Sequence, residues 1–145
     1  MDRTDYQILN LLQRDSRTTL RAIGDQVGLT APAVSERIRR LEERGVIRGF
    51  PVNIDRTRLD SHLTGFILVS LIPETYRQFC AFCDSEPAII AHYRLAGINN
   101  ALLRFAVRDT RQLGDMLTVI KQYGDSQTSV ALETYFEQKD IPLPE

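Results

Sequence analysis

Long apolar runs are absent from this 145-residue chain: no stretch approaches the roughly 18 residues that a membrane-spanning helix needs. The first residues are charged helix-starters rather than a basic and then apolar leader, so the expectation is a cytoplasmic protein that touches no membrane. Cysteine is scarce. Cys80 and Cys83 are too few for a disulfide framework, and their helical setting fits a reducing compartment. A redox pair of this spacing works at a helix N-terminus, where the dipole lowers the thiol pKa, whereas these two lie in mid-helix and read as small buried hydrophobes. The isolated histidines His62 and His92 do not complete a zinc site, so no metal and no other cofactor is expected. Neither a phosphate-cradling glycine loop nor a nucleophile motif is present, and no catalytic residue is assigned.

Charge of one sign is also lacking, since the net charge of -1 excludes a polycation that binds any nucleic acid. A hydrophobic content of 43% is that of a globular chain rather than a disordered one. The basic residues are nevertheless unevenly placed. Residues 1–60 hold 11 arginines against 9 acidic residues, while residues 61–145 are net -3. Every basic residue of the first segment is arginine, whose planar fork suits phosphates and guanine edges.

Helical periodicity fills the first segment. Ile8, Leu9 and Leu12 follow the helix-starters Asp2, Thr4 and Asp5. Leu20, Ile23 and Val27 repeat behind the cap candidate Thr19, and Gly28 ends that helix. Thr30 is placed to cap a third helix with Pro32 in its first turn, Val34, Ile38 and Leu41 on its inner side, and Gly45 at its close. Val46, Ile47 and Phe50 then begin an extended piece. Two helices joined by a short Gly-containing turn form a helix-turn-helix.

The pattern changes after the turn-formers of residues 53–61. Phe66 to Ile72 is apolar except for Ser70 and reads as a strand; Tyr76, Phe79, Cys80 and Cys83 read as an amphipathic helix. Strands are expected at Ala91 to Leu95 and Leu102 to Val107, flanking a turn at Gly97 to Asn100. A second helix follows on Leu113, Met116, Leu117 and Ile120, stopped by Gly124, with a last strand around Val130 to Phe136. This order is the split βαββαβ of a ferredoxin-like sandwich. Two helices cover one face of such a sheet, yet Phe66 and Leu68 alternate with Ile67, Val69 and Leu71, so both faces are apolar. A second copy of the chain is the expected cover, giving a homodimer.

The third helix carries the nucleic-acid reading. At 100° per residue its outer side presents Pro32, Glu36, Arg39, Arg40 and Glu43, with Ser35 on the flank. Thr30 marks a helix start that favours an anion. Ala31, Pro32, Ser35, Glu36 and Arg39 are placed to sample bases, while Arg40 and Arg44 hold phosphates. The same residues also form i, i+4 pairs, Glu36 with Arg40 and Arg39 with Glu43, which read equally as a solvated charged face. Arg37 lies beside the inner stripe, open to DNA or to a first-helix carboxylate such as Asp5.

These motifs together resemble the Lrp/AsnC, or feast/famine, family of transcription regulators: Asp5 with Ile8-Leu9 and Leu12, Asp15-Ser16-Arg17, Val27-Gly28-Leu29-Thr30, Val34 with Arg37-Ile38 and Leu41-Glu42, and Gly45-Val46-Ile47. The resemblance spans nearly the whole chain. It implies an α+β protein: an N-terminal winged helix-turn-helix over 1–52, a linker over 53–62, and a ferredoxin-like dimerisation and effector module over 63–145. It further implies a DNA-binding regulator that assembles as dimers and then tetramers or octamers, with double-stranded DNA as partner and an amino-acid effector. The family's effector residues map to the turn at Gly97, Asn99 and Asn100 and to Ser126 and Thr128. Asn100 stands where the family tends to have Asp and Ala101 where it has an aromatic, so a neutral amide replaces the carboxylate that pairs with an ammonium group. An effector-free architectural DNA-wrapping protein therefore stands as the alternative. A sirohaem-decarboxylase-like enzyme using the two histidines is a further one, opposed by the basic third helix.

Overall fold

Asp2 opens the first helix through a reciprocal capping box: its carboxylate accepts from the Asp5 N–H at 2.9 Å, and the Asp5 carboxylate accepts from the Asp2 N–H at 3.0 Å. This computed structural model describes residues 1–55, 58–59, 63–137 and 139–144. Three helices form the N-terminal part: α1 (Arg3–Arg14), α2 (Leu20–Val27) and α3 (Ala31–Glu43). The Thr19 hydroxyl caps α2 by accepting from Ala22 N–H at 3.2 Å. Thr30 occupies the N-cap of α3 but makes no side-chain cap bond. Pro32, at the second helical position, has no N–H to offer it.

The turn between α2 and α3 depends on two glycines. Gly28 has φ 72°, the left-handed conformation that stops α2. Gly24 lies inside α2, where a Cβ would stand 2.3 Å from the Leu29 carbonyl oxygen, so only hydrogen lets the turn fold back over the helix. At the far end of α3, Gly45 N–H donates to Glu42 O and Val46 N–H to Leu41 O, a Schellman closure. Ile8, Ile23 and Val34 are fully buried at the centre, packed by Leu12, Val27, Leu29 and Ile38. The piece expected to run extended from Val46 forms no strand; among the described residues, this part of the chain has no strand for it to pair with.

The chain divides into two units, Met1–Asn53 with Phe136–Glu145, and Ile54–Tyr135. The last residues, which the sequence assigns to the C-terminal module, thus group with the helices. Gln13 on α1 clasps the backbone of Ile141, donating to its carbonyl at 3.2 Å and accepting from its N–H at 2.8 Å. Of the expected linker, residues Arg56, Thr57, Asp60, Ser61 and His62 lie outside the described residues.

The second unit contains β1 (Leu63–Leu71), α4 (Tyr76–Ser85), β2 (Ile89–Arg94), β3 (Ala101–Val107), α5 (Thr110–Ile120) and β4 (Gly124–Val130). Its sheet has the order β2-β3-β1-β4, every neighbour antiparallel. Phe79 and Cys83 of α4, with Leu113, Met116 and Ile120 of α5, pack on Ile67, Val69, Leu71, Leu103, Phe105 and Val107, so both helices cover one face. The last strand corrects the expectation at Val130 to Phe136: it is the polar segment Gly124–Val130, and residues 132–136 are exposed. An edge strand is held by its ladder to β1 and needs little apolar burial, so hydropathy pointed to the wrong segment.

Candidate nucleic-acid interface and effector site

Burial of Val34 and Leu41 turns the opposite side of α3 outward. Thr30, Pro32, Ser35, Arg39, Arg40 and Arg44 are exposed, and Ala31 and Glu36 are half-buried. Glu36 is the hub of the face. Its carboxylate accepts from Arg39 Nε at 2.9 Å and Nη2 at 2.7 Å, and from Arg40 Nε at 3.0 Å; Arg39 Nη1 also bonds Glu43. The Arg39 and Arg40 guanidinium groups hold the Glu36 carboxyl down to about 2, and Glu36 raises the pKa of Arg39. Arg39 and Arg40 are thereby aligned along the outer face. Arg44, beyond the last turn, forms no ion pair among the described residues.

Arg37 belongs elsewhere. Its Nη1 donates to Asp2 Oδ2 and Asp5 Oδ1, both at 2.7 Å, which ties α3 to the start of α1. Of the two roles open to it from sequence, the intramolecular pairing is the one present.

The turn joining β2 to β3 holds the other group. Asn100 is tied into the sheet three ways: its Oδ1 accepts from Leu71 N–H at 2.8 Å, its N–H donates to Val69 O at 3.0 Å, and its carbonyl accepts from Leu95 N–H at 2.9 Å. β1 runs past the end of β3, and the Asn100 side chain satisfies the backbone that β3 no longer reaches. Ser70 Oγ donates to Ile98 O at 3.0 Å, pinning the turn. Gly97 and Asn99 lie in this turn, outside the strands. Ser126 and Thr128 pair with Val69 and Ile67, which places them inside β4 on the helix-covered side. Ala101, Val69 and Ser126 are abreast, so Asn100 and Ser126 stand at the same end of the sheet, about 10 Å apart at two strand spacings.

Sequence reasoning missed Arg94. Its guanidinium lies over the Tyr76 ring, 5.3 Å from the centroid. Both residues carry recognisable chemistry, but nothing local links a strand end to a helix start eighteen positions earlier.

Burial pushes the Cys83 thiol up to about 12; Cys80 is half-buried rather than fully buried as expected, because it lies on the flank of α4. His92 faces the helices, edge-on to Phe79 at 5.3 Å, with Nε2 buried and unpartnered and its pKa lowered by burial. No group of three His, Cys, Asp or Glu side chains suited to a metal occurs among the described residues. No helix among them is long and apolar enough to cross a membrane.

Comparison with known proteins agrees with this division of labour. Residues 1–48 match the winged helix-turn-helix DNA-binding model, and residues 64–141 match the Lrp/AsnC ligand binding domain. The HTH-type transcriptional regulator YezC of Bacillus subtilis is 35% identical over 134 residues, 92% of this chain and 95% of its own. The solved structure of B. subtilis LrpC is 25% identical and superposes with a TM-score of 0.87, covering 95% of this chain and 99% of that one. The leucine response regulatory protein LrpA of Mycobacterium tuberculosis is 27% identical with a TM-score of 0.85, covering 98% and 100%. An arginine-faced helix-turn-helix on a βαββαβ module, matched end to end by these regulators, makes the chain a member of the Lrp/AsnC family and a DNA-binding regulator of transcription.

Proposed function

We propose that the chain acts as a homodimer that sets two α3 helices into successive major grooves, about 34 Å apart, on a roughly palindromic site. In this reading residues 1–52 are the DNA-binding domain, 53–62 the connection and 63–145 the dimerisation and effector module. Ala31, Pro32, Ser35, Glu36 and Arg39 face the base edges, Thr30 stands at the helix start that favours an anion, and Arg40 and Arg44 hold phosphates. The observation that carries the reading is the outer face of α3: a buried stripe on one side, and on the other three exposed arginines on a helix whose N-terminal half is open. Glu36 aligns Arg39 and Arg40 in the free protein and releases the first to a base edge and the second to a phosphate on binding.

The same reading gives the second module an effector role, with Gly97, Asn99, Asn100 and Ser126 at one end of the sheet and Thr128 further along β4 as its contacts. What supports it is the match to a ligand-binding domain and the convergence of the turn and β4 on that end.

Binding to a selected duplex, measured across a salt series, tests the docking. Arg40→Ala is expected to weaken binding and lower the salt slope by about 0.9, the share of one phosphate contact. Glu36→Gln, which removes the carboxylate that competes for Arg39 and Arg40, is expected to strengthen sequence-independent binding. Parental behaviour in both variants contradicts the docking. Footprinting separates a sequence-reading regulator, with short discrete protections, from an architectural wrapper, with long phased ones.

A further inference from the structure

Between the end of β1, the entry to α4 and the end of β2 lies a cavity of about 350 Å³, lined by Leu71, Pro73, Tyr76, Arg94, Leu95 and Asn100. Its size falls in the range of small-molecule sites. Its chemistry is one-sided. Leu71, Pro73, Leu95 and the Tyr76 ring make apolar walls, and the one ionised group is the Arg94 guanidinium. Arg94 takes part in no ion pair among the described residues, and no Asp or Glu lines the cavity. Asn100 adds a donor in its side-chain amide nitrogen, while its Oδ1 accepts from Leu71 N–H.

We propose that this cavity binds a small apolar carboxylate lacking an ammonium group, a 2-oxo acid or plain carboxylic acid, through Arg94 and Asn100. The inference rests on the effector reading above and names its ligand class. A guanidinium over a ring face and outside any ion pair among the described residues has N–H groups to spare, and these take a carboxylate with two parallel bonds. The apolar chain of the ligand lies against Leu71, Pro73 and Leu95. An amino acid satisfies the same guanidinium, but its ammonium finds no acidic partner here and loses water without compensation.

Calorimetry on the full chain with ketoisocaproate and leucine, a pair differing only in oxo against amino, tests this. Ketoisocaproate is expected to bind saturably and leucine about tenfold or more weaker, the weight of an uncompensated ammonium. Arg94→Gln, at an exposed position, is expected to fold as the parent does and to lose about tenfold or more in ketoisocaproate affinity. Leucine binding as tightly as the oxo acid, unchanged binding in Arg94→Gln, or heat from neither compound overturns the proposal. DNA affinity measured with and without ligand keeps the two readings apart. Arg94-dependent ketoisocaproate binding that leaves DNA affinity unchanged upholds the site and removes its regulatory role. Leucine that shifts DNA affinity equally in the parent and Arg94→Gln upholds the effector role and overturns this site.

Discussion

His92 carries a pH dependence that can be signed in advance. Its ring is wedged against Phe79 with Nε2 unpartnered, and burial holds its pKa below the ordinary value. The unfolded chain takes up a proton near pH 6.5 and the folded one resists it, so this stability is complete above about 6.5 and is lost as pH falls towards the lowered value. The urea midpoint is expected to drop between about pH 7.5 and about pH 5.5, and His92→Phe is expected to flatten that drop. Glu36 titrates in a separate window, because its ion pairs persist from the ordinary carboxylate value down to about 2. Arg37 makes the second residue-scale prediction. Asp5 is 13% exposed in its side chain, and removing Arg37 leaves a largely buried carboxylate with no cation, held only by the Asp2 N–H. Arg37→Ala is expected to lower unfolding stability by about 1–3 kcal/mol, read by denaturant titration. Full stability in that variant contradicts the role given to the pair.

At the scale of elements, the α2–α3 turn rests on the absence of a side chain at Gly24. Gly24→Ala pushes a methyl group into the Leu29 carbonyl and is expected to destabilise the helical unit by about 1–3 kcal/mol and to weaken DNA binding with it. Thermal melting and duplex binding of the same preparation check both effects. This glycine was not legible in the sequence, where Gly28 alone marks the turn, because a close approach between backbone segments leaves no local signal. The helices themselves were legible, since Thr19, Gly28 and Gly45 act within one turn of the residues they cap. Strands β1 to β3 were legible as short, largely apolar runs, with ends displaced by up to three residues from Leu63–Leu71, Ile89–Arg94 and Ala101–Val107. β4 was not: Gly124–Val130 carries Asp, Ser, Gln and Thr, and only its pairing with β1 makes it a strand.

On the scale of the whole molecule, the sheet leaves one face without helices. Phe66 stands opposite Arg104 and Leu68 opposite Leu102, with Tyr93 beside Leu102, and Phe66 and Tyr93 are 45% and 53% exposed. An apolar face of this kind favours a second copy as its cover. Light scattering at micromolar concentration is expected to give a dimer or a multiple of it, and Phe66→Glu to shift the population towards monomer, since a carboxylate buried across a symmetric face meets its own copy. A monodisperse parental monomer contradicts this assembly.

The sequence by itself determined the helical periodicities, the punctuation at Thr19, Gly28 and Gly45 and the strands β1 to β3, each written within a few adjacent positions, and the arginine bias of the first sixty residues, which is composition alone. The tertiary structure alone decided that Arg37 answers Asp2 and Asp5, that Asn100 completes the ladder at Leu71, and that Arg94 lies over Tyr76. Those partners meet only through strand register and helix docking, and a slip of one residue turns every strand side chain to the opposite face.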